Sequence, residues 1–321
     1  MSLDNRISQK IYGLYRIDKD SIKSLNEYGE LFECAIQGQP FILRMTDYKT
    51  FEEQNAEADF INYLYDNGVN VANVIPSENG NLVEKIEHVG QEIYAVLFSK
   101  AKGHHATSEE WNSALIDKCG QIIGKMHVLS KKYPNTSKSS IIDWYEHDEM
   151  NYLKHVPSKH TVIIEKCNAL FDEIKALPRN ENTYGLIHSD VAQVNFFLDN
   201  DRITLIDFQD CEHNYFINDL AVMIYFGIED SFNGNDIKSY SSEFIAALLK
   251  GYSRECTIEP FWIEKIPLFL KLIEIHQFVM FYCYWDVETF DEDRKARLNI
   301  YRKNIEYDIP VLDVDFKSFY W

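Results

Sequence analysis

Over the first hundred residues, short apolar runs alternate with polar turns. Residues 31–36 and 41–45 flank Gln37-Gly38-Gln39-Pro40, a pattern that predicts a β-hairpin. Residues 51–67 carry Phe60, Ile61, Leu64 and Tyr65 at helical spacing, and Gly68 stands where such a helix would end. Residues 82–86 and 93–98 read as two further strands, so the order is strand, strand, helix, strand, strand. After Gly103 the period changes. Residues 111–129 place Leu115, Ile116, Cys119, Ile122, Ile123 and Met126 along one helical face. A polar stretch at 130–140 leads to helical segments at about 141–153 and 160–177. A strand pair follows between 195 and 207, and from Asp219 onward the chain is largely helical and aromatic-rich. Within that stretch, residues 278–285 predict core, with Asp286 placed to face a cation. The pattern predicts an α+β protein: a small antiparallel sheet lobe with one helix over residues 1–100, then a larger, mainly helical lobe over 101–321.

Composition narrows the class. With 321 residues, 45% of them hydrophobic, the chain can bury one large core or two modest ones. No uninterrupted apolar run of 18 residues occurs, which predicts no bilayer-spanning segment, and the polar start at 1–10 predicts no signal peptide. Six cysteines are scattered without a CxxC pair, a spacing that predicts reduced thiols and a cytoplasmic location. The net charge of −19 repels a phosphate backbone, arguing against nucleic acid as a partner, and favours an amine or amino alcohol in a cleft. His104-His105 and Glu146-His147-Asp148-Glu149 resemble metal sites in composition alone, and a solvated helix face is the expectation for them. No GxSxG, Walker A or GxGxxG motif is present.

The informative segment runs from His188-Ser189-Asp190 through Asn195 to Asp210. Residues 195–198 and 203–207 are β-prone runs around Asp199-Asn200-Asp201-Arg202, a turn sequence. If Leu198 pairs with Ile203, Asn195 falls opposite Ile206, beside Asp207 at the open end of the hairpin. An amide and a carboxylate are hard oxygen donors, suited to Mg2+ carrying substrate phosphates. Asp190, in the preceding loop, can meet an acceptor hydroxyl. Phosphoryl transfer requires in-line positioning, charge neutralisation and a carboxylate to orient and deprotonate the nucleophile.

His188-x-Asp190-x4-Asn195 followed by Ile206-Asp207-Phe208, with Asp219-Leu220-Ala221 on the next helix, resembles the motif series of the aminoglycoside phosphotransferase and choline kinase family. The resemblance covers residues 20–230 and implies a protein-kinase-like, two-lobed fold, ATP and Mg2+ as cofactors, and transfer of the γ-phosphate to a small-molecule hydroxyl. It implies Asp190 as catalytic base and Asn195 and Asp207 as metal ligands. Arg44 would contact the α- and β-phosphates, anchored by Glu57. Gly29 would lie in the nucleotide-covering turn, and Ser99 and Ala101 in the hinge that holds adenine. Ile42, Phe197 and Ile206 would sandwich the base. Asp219 would be a buried acceptor for catalytic-loop amides, and His188 and His127 would be structural. Gly120-x3-Gly124-x2-His127 is similar to the family's helix before the catalytic loop. The chain departs from the family at Ser189, usually Gly, at Val191-Ala192-Gln193-Val194, usually Leu-His-Pro-Gly, at Gln209, commonly Asp, and at Arg44, often Lys. A catalytically inactive kinase-like protein and a protein Ser/Thr kinase are the alternatives, although no Ala-Pro-Glu follows Asp207.

Overall fold

The computed structural model describes residues 5–26, 30–88, 90–133, 140–232, 234 and 236–320. In chain order the elements are α1 (Asn5–Tyr15), β1 (Lys23–Ser24), β2 (Leu31–Ile36), β3 (Gln39–Thr46), α2 (Phe51–Asp66), β4 (Val74–Ile75), β5 (Glu84–His88), β6 (Gln91–Ser99), β7 (His104–His105) and α3 (Ser113–Lys132). After these come α4 (Tyr152–His155), α5 (Thr161–Lys175), β8 (Tyr184–Ile187), β9 (Phe196–Asp199), β10 (Arg202–Leu205), β11 (Glu212–Tyr215), α6 (Phe216–Ser231), α7 (Ile237–Ser253), α8 (Pro260–Ile263), α9 (Ile266–Tyr284) and α10 (Glu292–Glu306). The chain forms two compact units. The first comprises Met1–His105, Tyr133–Ile141 and Phe196–Gln209, and the second Ala106–Lys132, Ile142–Asn195 and Asp210–Trp321. The first therefore runs past residue 100 and takes in two later segments.

In the first unit an antiparallel sheet has the order β1-β2-β3-β6-β4, with β5 also on β6. The β2–β3 turn is only Gln37-Gly38, both at positive φ, and the Asp18 carboxylate accepts both of their amides at 3.0 and 2.8 Å. Strand β3 thus begins at Gln39, two residues before the apolar pattern does. Alternation along β3 buries Leu43 and Met45 with Phe32, Cys34, Ala95 and Leu97 beneath α1, which contributes Ile7, Ile11 and Tyr15. Helix α1 is absent from the sequence reading, although Ile7, Ile11 and Tyr15 carry its four-residue spacing. Helix α2 starts at a capping box: Thr50 Oγ1 accepts the Glu53 amide, and Glu53 accepts the Thr50 amide at 2.9 Å. It ends at Asn67, before Gly68. Gly103 has φ +93°, and a Cβ there would lie 2.0 Å from the Leu198 carbonyl oxygen, so only glycine admits the β7–β9 pairing.

The second unit is built on α3 and α7. A Cβ at Gly120 would stand 2.2 Å from Leu248 O, and one at Gly251 would stand 1.9 Å from Asp117 O. The helices meet backbone to backbone, which is the physical content of the Gly-x3-Gly pattern. Gly251→Ala is expected to cost about 1–3 kcal/mol through overpacking, seen as a fall in melting temperature. The helix expected at 141–153 is instead two 3-10 turns, Trp144–Glu146 and Asp148–Met150, followed by α4. Strands β8 and β11 pair antiparallel, Ile187 with Glu212. Among the described residues one stretch, Pro260–Tyr284, is long and apolar enough to cross a membrane by length and composition alone. It belongs to the unit's core: Phe269, Phe278 and Ile275 are buried, and buried Glu274 accepts Lys271 Nζ at 2.9 Å. All six cysteines are free thiols.

Candidate active site

In the second unit, β8 is buried along its length and delivers His188-Ser189-Asp190 from a rigid edge. Fully buried His188 accepts the Asp190 amide on Nδ1 at 3.2 Å, which fixes its tautomer and gives it a role in loop shape. Asp219, on the first turn of α6 and fully buried, accepts the His188 amide on Oδ2 at 3.1 Å and the Ser189 amide on Oδ1 at 2.8 Å. Its Oδ2 is also 3.0 Å from His127 Nε2, and His127 Nδ1 lies 2.9 Å from the Tyr252 hydroxyl. Burial pushes the His127 pKa below its ordinary value against the pull of Asp219. The imidazole is therefore neutral, donating from Nε2 to Asp219 and accepting Tyr252 on Nδ1. Asp219 and His127 stand as the sequence implied.

Ser189 takes φ +69°. This conformation explains the glycine usual at the position, because a β-carbon there is strained. In the altered stretch 191–194, Val191 and Ala192 are buried, and Gln193 Nε2 donates to Gly227 O at 3.0 Å. Asn195 closes a 3-10 turn, Gln193–Asn195, and is nearly buried. Its Nδ2 donates to Asp190 O and Asp190 Oδ2, both at 2.8 Å. That orientation leaves Asn195 Oδ1 with no hydrogen-bond partner among the described residues.

In the first unit, β9 and β10 pair Leu198 with Ile203 as expected, but the ladder ends at Phe196–Leu205. Asn195 does not pair with Ile206, because its backbone has turned into the 3-10 turn. Asp207 has left the β region for φ +62°. Its carboxylate is exposed, and its nearest protein donor is the Gln209 amide at 3.5 Å. Arg44 and Glu57 form a bidentate pair, Nη1 to Oε1 at 2.8 Å and Nη2 to Oε2 at 2.7 Å, on the sheet face away from α1. Both are buried, and the guanidinium lies 5.2 Å from the Phe98 ring. Ile42, two residues from Arg44 and on the same face, is half-buried, as are Phe197 and Ile206. Phe197 packs on His105 with ring centroids 4.2 Å apart. Of the hinge residues, Ser99 donates its amide to Asn73 O at 2.9 Å, so that N–H is unavailable to a base. Ala101 makes no hydrogen bond among the described residues. Gly29 lies outside the described residues.

The 146–149 run is not a solvated helix face. His147 Nε2 lies 3.0 Å from Glu212 Oε2, and Glu149 takes His276 Nε2 at 3.3 Å together with the Tyr284 hydroxyl. The hydrogen bond from His276, aided by Tyr284, holds the Glu149 carboxyl down at about 2, so it is ionised at neutral pH. Asp148, His155 and Cys283 bring possible ligand atoms within 4.8 Å of one another, yet Lys154 Nζ already sits 2.6 and 2.7 Å from the two Asp148 oxygens. Asp286 is exposed and caps the turn Val287–Thr289 through the Glu288 amide. Glu212, Glu149 and Gln193 were missed by the sequence reading; nothing in their local pattern marks them, since their partners are distant in sequence.

A sequence profile of the Phosphotransferase enzyme family (APH) matches residues 32–259, a span holding Arg44, Glu57, Asp190, Asn195, Asp207 and Asp219. The chain belongs to this family. The amicoumacin kinase of Bacillus subtilis (strain 168) is 29% identical over 310 residues, covering 95% of this chain and 92% of that protein. An amicoumacin kinase solved in complex with AMP-PNP, Ca2+ and Ami superposes with TM-score 0.93 at 27% identity, covering 99% of this chain and 98% of that one. A microcompartment-associated aminopropanol kinase shares the fold, with TM-score 0.74 at 18% identity over 94% of this chain and 95% of its own. As a member of the family with this α+β, kinase-like fold, the protein is a phosphotransferase that acts on small molecules, with an alcohol group as acceptor.

Proposed function

We propose that the protein transfers the γ-phosphate of ATP, carried by Mg2+, to a hydroxyl of a small molecule related to amicoumacin. The observation that carries this reading is the Asp190 carboxylate, oriented by Asn195 Nδ2 in a loop whose amides end on buried Asp219. Asp190 orients the acceptor hydroxyl and accepts its proton as the oxygen attacks phosphorus. Arg44, stiffened by Glu57, steadies the α- and β-phosphates. Ile42, Phe197 and Ile206 cover the base, and Ala101 in the hinge meets its polar edge. Residues 1–100 form the nucleotide-binding lobe, and 101–321 form the helical lobe that carries the catalytic loop and the acceptor site.

The residues present suit a magnesium ion: Asn195 offers an unpartnered amide oxygen and Asp207 an exposed carboxylate, both hard donors. Asn195 and Asp207 would hold it, and the ion would neutralise charge developing on the phosphoryl oxygens. The likeness to amicoumacin kinases supports the acceptor class. The net charge of −19 favours an acceptor that carries an amine. Joint retention of Asp190, Asn195 and Asp207 speaks against an inactive protein.

The test is ADP release from ATP and Mg2+ in the presence of amicoumacin, amino alcohols, aminoglycosides, sugars and a generic protein substrate. Magnesium-dependent release stimulated by amicoumacin or another amine-bearing alcohol is the expected result. Nucleotide binding without stimulation by any acceptor would point to the inactive alternative. In the same assay Arg44→Lys should raise KM for ATP roughly tenfold, because an ammonium cannot keep the bidentate bond to Glu57 while reaching a phosphate.

A further inference from the structure

We infer that Glu212 is a positioning residue for phosphoryl transfer, acting as a latch on Ser189 that aims Asp190; the inference rests on Asp190 being the base. Ser189 sits at φ +69°, a conformation that costs a residue with a β-carbon and that glycine adopts freely. Two buried carboxylates hold it there from different sides. Asp219 takes its amide at 2.8 Å, and Glu212 Oε1 takes its hydroxyl at 2.8 Å. Asp219 would perform the same service for a glycine. The hydroxyl contact is specific to the serine.

Glu212 is built for this task and is not available to substrate. It is 4% exposed, on β11, whose pairing with β8 sets it opposite Ile187, two residues before Ser189. Its Oε1 also accepts Asn214 Nδ2 at 2.8 Å, and its Oε2 faces His147 Nε2 at 3.0 Å. A buried carboxylate oxygen that takes two donors, the Ser189 hydroxyl and Asn214 Nδ2, is a well-fixed acceptor. Asp190 follows Ser189 directly, so the backbone torsions at Ser189 set the direction of its side chain. If the latch opens, Ser189 relaxes toward negative φ and the Asp190 carboxylate swings off its line.

The experiment compares kcat, both KM values and melting temperature for Ser189→Ala, Ser189→Gly, Glu212→Ala, Glu212→Gln and Glu212→Ala/Ser189→Gly, with Asp190→Asn in parallel. Alanine keeps the strain and loses the latch, whereas glycine loses both. The expected result is that Ser189→Ala turns over roughly five- to tenfold more slowly than Ser189→Gly, since the left-handed conformation is disfavoured by about that factor for a β-carbon, while KM for ATP moves less than twofold. Glu212→Gln, which keeps an acceptor oxygen, should lose less kcat than Glu212→Ala. Adding Ser189→Gly to Glu212→Ala should recover at least threefold. Equal kcat for Ser189→Ala and Ser189→Gly would overturn the latch, as would a double variant no faster than Glu212→Ala. A merely structural role for Glu212 gives no such rescue, and if Glu212→Ala does not fold, the Ser189 pair decides alone. Wild-type turnover by Asp190→Asn would instead overturn the base assignment, an outcome read separately from the alanine–glycine comparison.

Discussion

Asp190→Asn is expected to lower kcat by about 10² to 10⁴-fold, the usual cost of losing a general base, with nucleotide affinity within about twofold of wild type. The substitution keeps the shape of the side chain. It removes the charge that attracts the acceptor's proton. An asparagine keeps one acceptor oxygen that can still take Asn195 Nδ2, the donor that now sits 2.8 Å from Asp190 Oδ2, so the loss reflects basicity more than orientation. Nucleotide binding is expected to be spared because the phosphates are assigned to Arg44 and Glu57, on β3 and α2. Single-turnover kinetics with saturating acceptor, beside fluorescence titration of a nucleotide analogue, checks both halves. A variant with wild-type kcat would remove Asp190 from the mechanism.

Asp219→Ala should lose both stability and activity. Truncation leaves the His188 amide, the Ser189 amide and His127 Nε2–H without their acceptor, all inside the second unit. Breaking a buried, hydrogen-bonded charge typically costs about 3–5 kcal/mol, which for a protein of this size is a fall in melting temperature of roughly 10 °C. Turnover should drop by more than about tenfold even below the transition, because Ser189 then relies on its hydroxyl alone to hold a strained conformation. Asp219→Asn keeps one acceptor oxygen and should be milder on both counts. Calorimetry with parallel kinetics decides the matter; unchanged melting would mean that the loop amides find other partners.

Much of this protein was legible in its sequence because the relevant physics is local or has a short period. Short apolar runs bounded by turn residues located β2, β3 and β6, and the 3.6-residue period located α2 and α3. The Asp190 and Asn195 pair could be read because five residues of one loop join them, close enough for Asn195 Nδ2 to reach Asp190 Oδ2. Elsewhere the local signal misled. The polar and aromatic mix at 141–153 suggested a helix, but Trp144 is buried and the chain breaks into 3-10 turns there. Ser99 carries no mark of its amide's bond to Asn73, since their strands pair across a long loop.

The sequence by itself determined the order of elements, the identity of the acidic and amide groups that can serve phosphoryl transfer, and the glycines that let α3 and α7 touch. Each of those follows from a residue's own chemistry or from neighbours within a turn or two. Only the tertiary structure decided how the catalytic loop is held, with Asp219 beneath its amides, Gln193 pinned to Gly227 and Glu212 on the Ser189 hydroxyl, and that Glu149 meets His276. These partners lie tens to more than a hundred residues apart. A buried hydrogen bond has no periodicity along the chain; it exists only once packing has excluded water and left each polar group to find the acceptor that the fold provides.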